Sequence, residues 1–176
     1  MTSKKTIYLL ILTAVLAVNS FAQTDKRIAA IRELYSQTNA KVAECEENGD
    51  VSSTFLTELV VNKNNGSYPA VGIYRTTAKF YYTYGDREVN PYPNRLMKIA
   101  VETKRSNRVE LSEFLFNAKG QRVFYFEKKD DIEKRVYFAN KIAFKILEGE
   151  KEVKSTEKRS LELVKNIQRQ GAALES

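Results

Sequence analysis

Between residues 53 and 147 the chain alternates apolar and polar residues in short runs, and this pattern restricts the fold more than any other feature. A period of two residues is that of a β-strand with one buried face and one wet face. The runs are separated by brief polar segments such as Lys63–Ser67 and Lys104–Asn107. Strands joined by connections this short pair antiparallel, because a parallel pair needs a long crossover. The sequence therefore predicts an antiparallel meander.

The alternating runs also locate the strands. They predict strands near residues 55–61, 71–84, 97–101, 109–115 and 122–128. The segment 134–147 is predicted to form either one long strand or two strands that meet near Asn140, and two short strands or a bulge there are the favoured alternative. Gly85–Asn94 contains two prolines and should interrupt the sheet, because proline has no N–H to donate to a neighbouring strand.

Helical spacing precedes and follows the strands. Residues 25–47 carry a stripe at alternating three- and four-residue steps, made of Ile28, Ile31, Tyr35, Thr38, Val42 and Cys45. The stripe predicts a helix that ends at Asn48-Gly49 and turns the single cysteine, Cys45, inward as a small buried group. Near the C-terminus Leu161, Val164 and Ile167 form a narrower stripe. It predicts a helix that is loosely docked or binds a partner, with residues 171–176 frayed.

Together these elements predict an α+β fold. The N-terminal helix packs on a curved antiparallel meander sheet of five to six strands, and a short C-terminal helix follows. Residues 23–154 form a single domain, and residues 155–176 form the C-terminal helix and tail. This order of elements resembles the cystatin-like and nuclear-transport-factor-like folds, and also small sheet-on-helix inhibitor domains of bacterial periplasms.

The first 22 residues predict the compartment. Lys4 and Lys5 precede an apolar run from Ile7 to Val18, and Ser20-Phe21-Ala22 places small residues at a cleavage site before Gln23. This is the pattern of a signal peptide cleaved near Ala22-Gln23. The alternative is a membrane anchor, but about 12 apolar residues are too few for a span of roughly 20. We therefore expect a secreted or periplasmic protein without a transmembrane span after cleavage.

The last residues of this predicted signal peptide resemble those of known secreted proteins. Phe21-Ala22-Gln23 is similar to the leader ends of many uncharacterised secreted proteins of Bacteroidetes. The likeness covers these three residues together with the order of elements. It implies a compartment and no particular chemistry.

The composition excludes several kinds of chemistry. The chain has no histidine, so Ser-His-Asp and Cys-His catalysis and imidazole zinc sites are excluded. One cysteine permits neither an internal disulfide nor a thiolate metal cluster, and Cys45 is either a free thiol or an intermolecular bridge. The glycines do not form a phosphate-binding loop. We expect no cofactor and no metal, and the missing histidine favours a protein that is not an enzyme.

The charge pattern bears on partners. Removing the two lysines of the leader lowers the formal net charge from +7 to +5. Acids and bases alternate in segments such as 127–135 and 148–159, which is typical of a solvated surface. Nucleic acid is not an expected partner of an exported chain. A polyanion of the bacterial surface is an alternative partner.

Carboxylates are the remaining candidates for catalysis. Glu102, Glu110 and Glu113 lie on or near neighbouring predicted strands. Glu113 shares the inward parity of Leu111 and Leu115, and burial would raise its pKa and make it a candidate acid or base. The alternative, which we favour, is that Glu113 pairs with a lysine or arginine on the adjacent strand. Asp130, Asp131 and Glu133 do not follow the spacing of a calcium loop, so we predict a solvated hairpin tip.

The aromatic segment from Phe80 to Pro93 is the candidate for ligand binding. Phe80, Tyr82 and Tyr84 share one parity, which predicts core packing. Tyr81 has the opposite parity, and Tyr92 lies between two prolines in the loop 85–94. The candidate ligand-binding residues are those expected to form an exposed platform on a sugar ring or a protein partner, namely Tyr81, Arg87, Tyr92 and Tyr68. The alternative is that the loop folds its tyrosines over the edge of the sheet.

Two functions follow as hypotheses. The first is an exported, non-catalytic binding or inhibitory module that contacts an unknown protein or glycan through the loop 85–94. The second is a small carboxylate-dependent hydrolase or lyase with a pocket between helix and sheet. The second requires that at least two of Glu113, Glu102, Tyr74 and Tyr82 converge on that pocket.

Overall fold

The structure is a computed structural model that describes residues 3–49, 52–69, 72–86, 88–89, 91–154 and 158–175. Side chains are described from Gln23 onward, apart from those of residues 68, 159 and 175. The chain divides into two units, Met1–Ser36 and Gln37–Ser176. The first unit consists of the earlier part of helix α1 (Ser3–Asn48), and the second contains the last turns of α1 and all other elements.

Helix α1 includes the predicted helix 25–47 and ends where the sequence indicates. Gly49 follows it with a φ of 56°, a left-handed conformation that glycine adopts at low cost. Cys45 is buried, and its thiol donates to the Thr54 carbonyl at 3.4 Å. The predicted inward orientation of Cys45 is therefore confirmed. No helix in the described part of the chain has the length and hydropathy of a membrane span.

The predicted antiparallel meander is confirmed, with more strands than expected. One open sheet has eight strands in the order β1-β3-β4-β5-β6-β7-β8-β9, and the two-residue β2 pairs with β3. All neighbours are antiparallel. The strands are β1 (Thr54–Val61), β2 (Ser67–Tyr68), β3 (Gly72–Tyr84), β4 (Pro93–Arg105), β5 (Arg108–Phe116), β6 (Arg122–Lys129), β7 (Ile132–Ala139), β8 (Ile142–Glu148) and β9 (Lys151–Glu152).

The prediction of five to six strands was wrong for local reasons. The segment 134–147 does belong to two strands that meet at Asn140, as the favoured alternative predicts, because Asn140 and Lys141 take φ angles of 50° and 69° in a two-residue hairpin turn. The additional strands are the two-residue β2 and β9. Strand β9 follows a turn at Gly149 and has two residues, which is too short to show an alternating pattern. Residues 130 and 131 form the tip between β6 and β7, as predicted.

One face of the sheet carries the apolar core of the second unit. Ile99, Phe114, Tyr125, Val136 and Ile146 form a single cross-strand row, and all five are buried. Helix α2 (Lys158–Glu175) covers this row and inserts Ile167, which is 1% exposed. Burial of these side chains stabilises the fold by roughly 1.5–3 kcal/mol each.

The C-terminal helix is therefore docked, and two expectations about this region change. The helix continues through Gly171 to Glu175, where fraying was expected, because Leu174 packs against the same core. Phe80 packs against the core as predicted, and Ile99 lies within it, but the helix that covers both residues is α2. The last turns of α1 lie over the opposite face, where Cys45 contacts Thr54. Within the second unit, each face of the sheet thus contacts a helix.

Candidate functional site

A cleft of about 560 Å³ separates the last turns of α1 from the sheet face opposite α2. Residues from the helix and from strands β3, β4, β5 and β6 line it. The polar lining includes Asn39, Glu46, Thr77, Lys79, Tyr81, Lys98, Glu102 and Glu113, and the apolar lining includes Val42, Ala43, Ala100, Leu111 and Phe126. Its size lies in the range of small-molecule sites, roughly 300–1,000 Å³.

Strand register places the charged groups on the floor of the cleft. Lys98 lies opposite Leu115, and Glu113 lies opposite Ala100. The two charged residues are therefore diagonal neighbours on one face, within reach of each other. Lys98 Nζ donates to Glu113 Oε1 at 2.7 Å and to Asn39 Oδ1 of α1 at 2.8 Å. Its side chain is 6% exposed and that of Glu113 is 22% exposed, so the cleft has a largely desolvated ion pair as its base.

A second polar group joins the helix to strand β3. Glu46 Oε1 accepts from Lys79 Nζ at 2.7 Å and from the Tyr81 hydroxyl at 2.5 Å. The hydrogen bond from Lys79 and then that from Tyr81 hold the pKa of Glu46 below its ordinary value. Burial, followed by the hydrogen bond to Glu46, raises the pKa of Tyr81 well above its ordinary value. At neutral pH Glu46 is an ionised acceptor and Tyr81 is a protonated donor.

The three carboxylates singled out from the sequence lie on both faces of the sheet. Glu102 and Glu113 line the cleft, so two of the four residues required by the catalytic hypothesis converge there. Glu102 forms an ion pair with Lys104 at 3.1 Å. The favoured alternative for Glu113, pairing with a lysine of the adjacent strand, is confirmed by its contact with Lys98.

Glu110 belongs to a different cluster. It pairs with Arg108 at 2.8 Å, with Arg105 at 3.3 Å and with Lys129 at 3.5 Å, and it lies outside the cleft lining. Burial alone would raise the pKa of Glu110, but the charges of Lys129, Arg105 and Arg108 outweigh it and the pKa is lowered. Glu110 is thus held as an ionised partner of three cations.

The expected aromatic platform is not brought together among the described side chains. Tyr81 was expected to be exposed, but it is 2% exposed because α1 covers this face of β3. Tyr92 is 72% exposed, in agreement with its predicted place in the loop. Arg87 lies outside the described residues, and the side chain of Tyr68 does also. Tyr84 packs edgewise against Phe55 of the edge strand, and Tyr82 packs against the same ring at a tilt.

Sequence reasoning missed four residues of the cleft, Asn39, Glu46, Lys79 and Lys98. On β3 and β4 the lysines alternate with buried residues and therefore resemble a solvated face. The helical residues carried a usable signal, since Asn39, Val42 and Glu46 recur at three- and four-residue steps beside Cys45. This spacing predicts a polar contribution to the face that packs on the sheet.

Within the described part of the chain, no three histidine, cysteine, aspartate or glutamate side chains lie close enough to hold a metal ion. Comparison with protein-family models, with curated proteins and with solved structures finds no match for this chain. The chemistry of the cleft therefore rests on its own residues. These residues provide fixed donors and acceptors around a small open volume.

Proposed function

We propose that the protein is an exported, non-catalytic binding module that holds a short glycan in the cleft between α1 and the sheet. The observation that carries this proposal is the Lys98–Glu113 pair, a largely desolvated pair at the base of an open cleft. Removing charges from water costs several kcal/mol per ion, and an apolar pair of similar volume is often as stable or more stable. An ion pair that carries this desolvation cost is expected where its charged groups bind a ligand.

The chemistry of the lining supports a hydroxylated ligand. Glu46, Glu113 and the Asn39 carbonyl oxygen are hydrogen-bond acceptors, and Lys79, Lys98 and Tyr81 are donors. Sugar hydroxyls both donate and accept, so they suit a lining in which both kinds of group alternate. Phe126 and Leu111 add apolar surface for the C–H face of a sugar ring. The volume of about 560 Å³ is suited to one or two sugar units.

Protonation favours binding over catalysis. A general acid or base works best with a pKa near the operating pH. The pKa of Glu46 is lowered and that of Tyr81 is raised, so both move away from neutrality. The remaining carboxylates of the cleft, Glu102 and Glu113, are each engaged by a lysine. Glu46 and Tyr81 are thus suited to orienting a ligand rather than exchanging protons with it.

A small carboxylate-dependent hydrolase is the second candidate, and one observation favours it. Glu102 on β4 lies opposite Leu111 on β5. Glu113 lies two residues beyond Leu111 on β5, on the same face of the sheet. Diagonal neighbours point to the same side of the sheet, so both carboxylates line the cleft, as the two carboxylates of a glycosidase flank one substrate. The ion pairs with Lys104 and Lys98 make this candidate the weaker one.

A sugar titration tests both candidates. The probes are glucose, N-acetylglucosamine, maltose, cellobiose and chitobiose. Each sugar is titrated into the purified protein, and the backbone amide chemical shifts are measured. We expect shifts at residues 39–46, 79–81 and 98–113, and Glu46→Gln should weaken binding roughly tenfold, because one charged acceptor is lost. Tyr92→Ala is the matched control and should leave the affinity unchanged.

Two results would redirect the conclusion. Shifts confined to the loop 85–94, or no shifts with any sugar, would contradict binding of these sugars in the cleft. Release of monosaccharide from a disaccharide, abolished by Glu113→Gln, would favour the hydrolase instead. The two candidates are therefore separated by whether the bound disaccharide stays intact.

A further inference from the structure

A second pocket, of about 700 Å³, lies on the α2 side of the sheet and is independent of the proposed glycan cleft. The loop between β5 and β6, the turn between β7 and β8, and α2 contribute to its walls. Three cations line it, Lys119, Arg122 and Lys141, and none of its lining residues within the described part of the chain is acidic. The sequence does not show this concentration of charge, because acids and bases alternate along the chain.

The guanidinium of Arg122 is held in place. Nη1 donates to the Ile167 carbonyl of α2 at 2.6 Å, and the group lies over the rings of Phe114 and Phe138 at 5.5 and 6.0 Å. Gly171 permits this approach, because a Cβ at that position would overlap the guanidinium. A cation fixed in this way loses little conformational freedom on binding an anion.

The segments that carry the two lysines are also ordered by local contacts. The Asn117 Oδ1 atom accepts from the amides of Lys119 and Gln121, both at 2.9 Å. The Lys141 carbonyl accepts from Gln168 Nε2 at 3.4 Å. A fourth cation, Arg95, donates to the Ala118 carbonyl of the same loop at 3.4 Å. The positive charge at this end of the sheet thus comes from structured backbone segments.

We propose that this pocket binds a tetrahedral oxyanion, phosphate or sulfate, carried on a small hydroxylated molecule. Arginine and lysine form charge-assisted hydrogen bonds with such oxyanions, and no carboxylate among the described lining residues competes with them. The pocket is larger than an inorganic ion requires. Its amide side chains, Gln121 and Gln168, are suited to the hydroxyl groups of the carrier.

Calorimetric titration of the full chain at low ionic strength tests this inference. The probes are inorganic phosphate, inorganic sulfate, glucose 6-phosphate, glucose 6-sulfate and glucose. We expect the sugar esters to bind more tightly than the inorganic ions and to bind equally well in the presence of saturating glucose. The double variant Lys119→Gln/Lys141→Gln should weaken ester binding by at least roughly tenfold, because charge-assisted hydrogen bonds are lost.

The control carries the same change of charge elsewhere. Lys63→Gln/Lys128→Gln replaces two exposed lysines that lie outside this pocket, and it should change the affinity by no more than about twofold, since screening weakens distant charges. Equal affinity for ester and inorganic ion would overturn the proposed carrier molecule and leave the free ion as the ligand. The inference is overturned if no anionic probe binds, or if the control variant loses as much affinity as the pocket variant. Thermal melting of both variants confirms that the fold is retained.

Discussion

The two faces of the sheet differ in chemistry although the same strands form them. On the α2 face, Ile99, Phe114, Tyr125, Val136 and Ile146 form a row that is apolar apart from one hydroxyl. The sequence neighbour of each of these residues points to the opposite face. These neighbours form a second cross-strand row, Ala100, Glu113, Phe126, Arg135 and Leu147. The first row is fully buried, and the second is partly exposed beside an open cleft.

Because of this difference, the fold's stability and the proposed sugar binding depend on different faces of the sheet. Close packing of the buried row on the α2 face contributes most to stability, and this row lies outside the lining of both proposed ligand pockets. On the α1 face, open volume and a desolvated ion pair replace such packing, and both reduce stability relative to a filled apolar interface. Substitutions on the α2 face should therefore mainly lower stability, and substitutions on the α1 face should mainly weaken sugar binding.

The largest expected effect is loss of a core ring on the α2 face. Phe114 is buried, and its ring centroid lies 5.0 Å from that of Tyr125. Phe114→Ala should lower the free energy of unfolding by about 3–5 kcal/mol, because it leaves a cavity in a packed core. Urea denaturation measures the change. The matched control, Phe126→Ala on the cleft face, should cost about half as much, and equal losses would remove the distinction between the faces.

The second prediction concerns the ion pair. Glu113→Gln leaves Lys98 with a neutral partner and should cost about 1–3 kcal/mol. The double variant Lys98→Met/Glu113→Leu replaces the pair by apolar groups, and its free energy of unfolding should equal or exceed that of the wild type. A double variant less stable than Glu113→Gln would show that the pair is a structural requirement. Urea denaturation of both variants provides the comparison.

The third prediction is a pH dependence of the cleft face. The folded-state pKa of Glu46 is depressed below 4.5 by its hydrogen bonds from Lys79 and Tyr81. Its contribution to stability is therefore present above pH 4.5 and is lost as the pH falls through the lower folded-state value. Lys79→Gln should flatten the decrease of melting temperature below pH 4.5. An unchanged slope in that variant would show that other carboxylates determine the acid sensitivity.

The smallest effect is expected in the loop 85–94. Tyr92 is 72% exposed, and Tyr92→Ala should change the free energy of unfolding by less than about 0.5 kcal/mol. It should also leave sugar binding in the cleft unchanged. Loss of sugar affinity in this variant would move the binding site to the loop, as the sequence alone suggested. The sugar titration with amide chemical shifts reports both.

The sequence predicted those features of the fold that depend on local patterns of residues. The period of two residues predicted β1, β3 and the later long strands, because alternate side chains of a strand lie on opposite faces. The two-residue strands β2 and β9 carry no period and were missed. Parity also showed which residues share a face. It did not show which helix covers that face, since that depends on contacts between distant segments.

The same limit explains the outcome for the candidate site. Glu113 was found by parity, and a lysine of the adjacent strand was expected as its partner. Tyr81 was assigned to an exposed surface because its neighbours Phe80 and Tyr82 were assigned to the core. The contact of Tyr81 with Glu46 joins residues 35 positions apart. No local pattern encodes such a contact.

The most direct test of the account is sugar binding by Lys98→Met/Glu113→Leu. Glucose, N-acetylglucosamine and their disaccharides are titrated into this variant and into the wild type, with amide shifts at the cleft as the readout. The account predicts a variant at least as stable as the wild type that no longer binds the sugar, because the polar base of the cleft is gone. A variant that binds the sugar as tightly as the wild type would contradict a role for the ion pair in recognition.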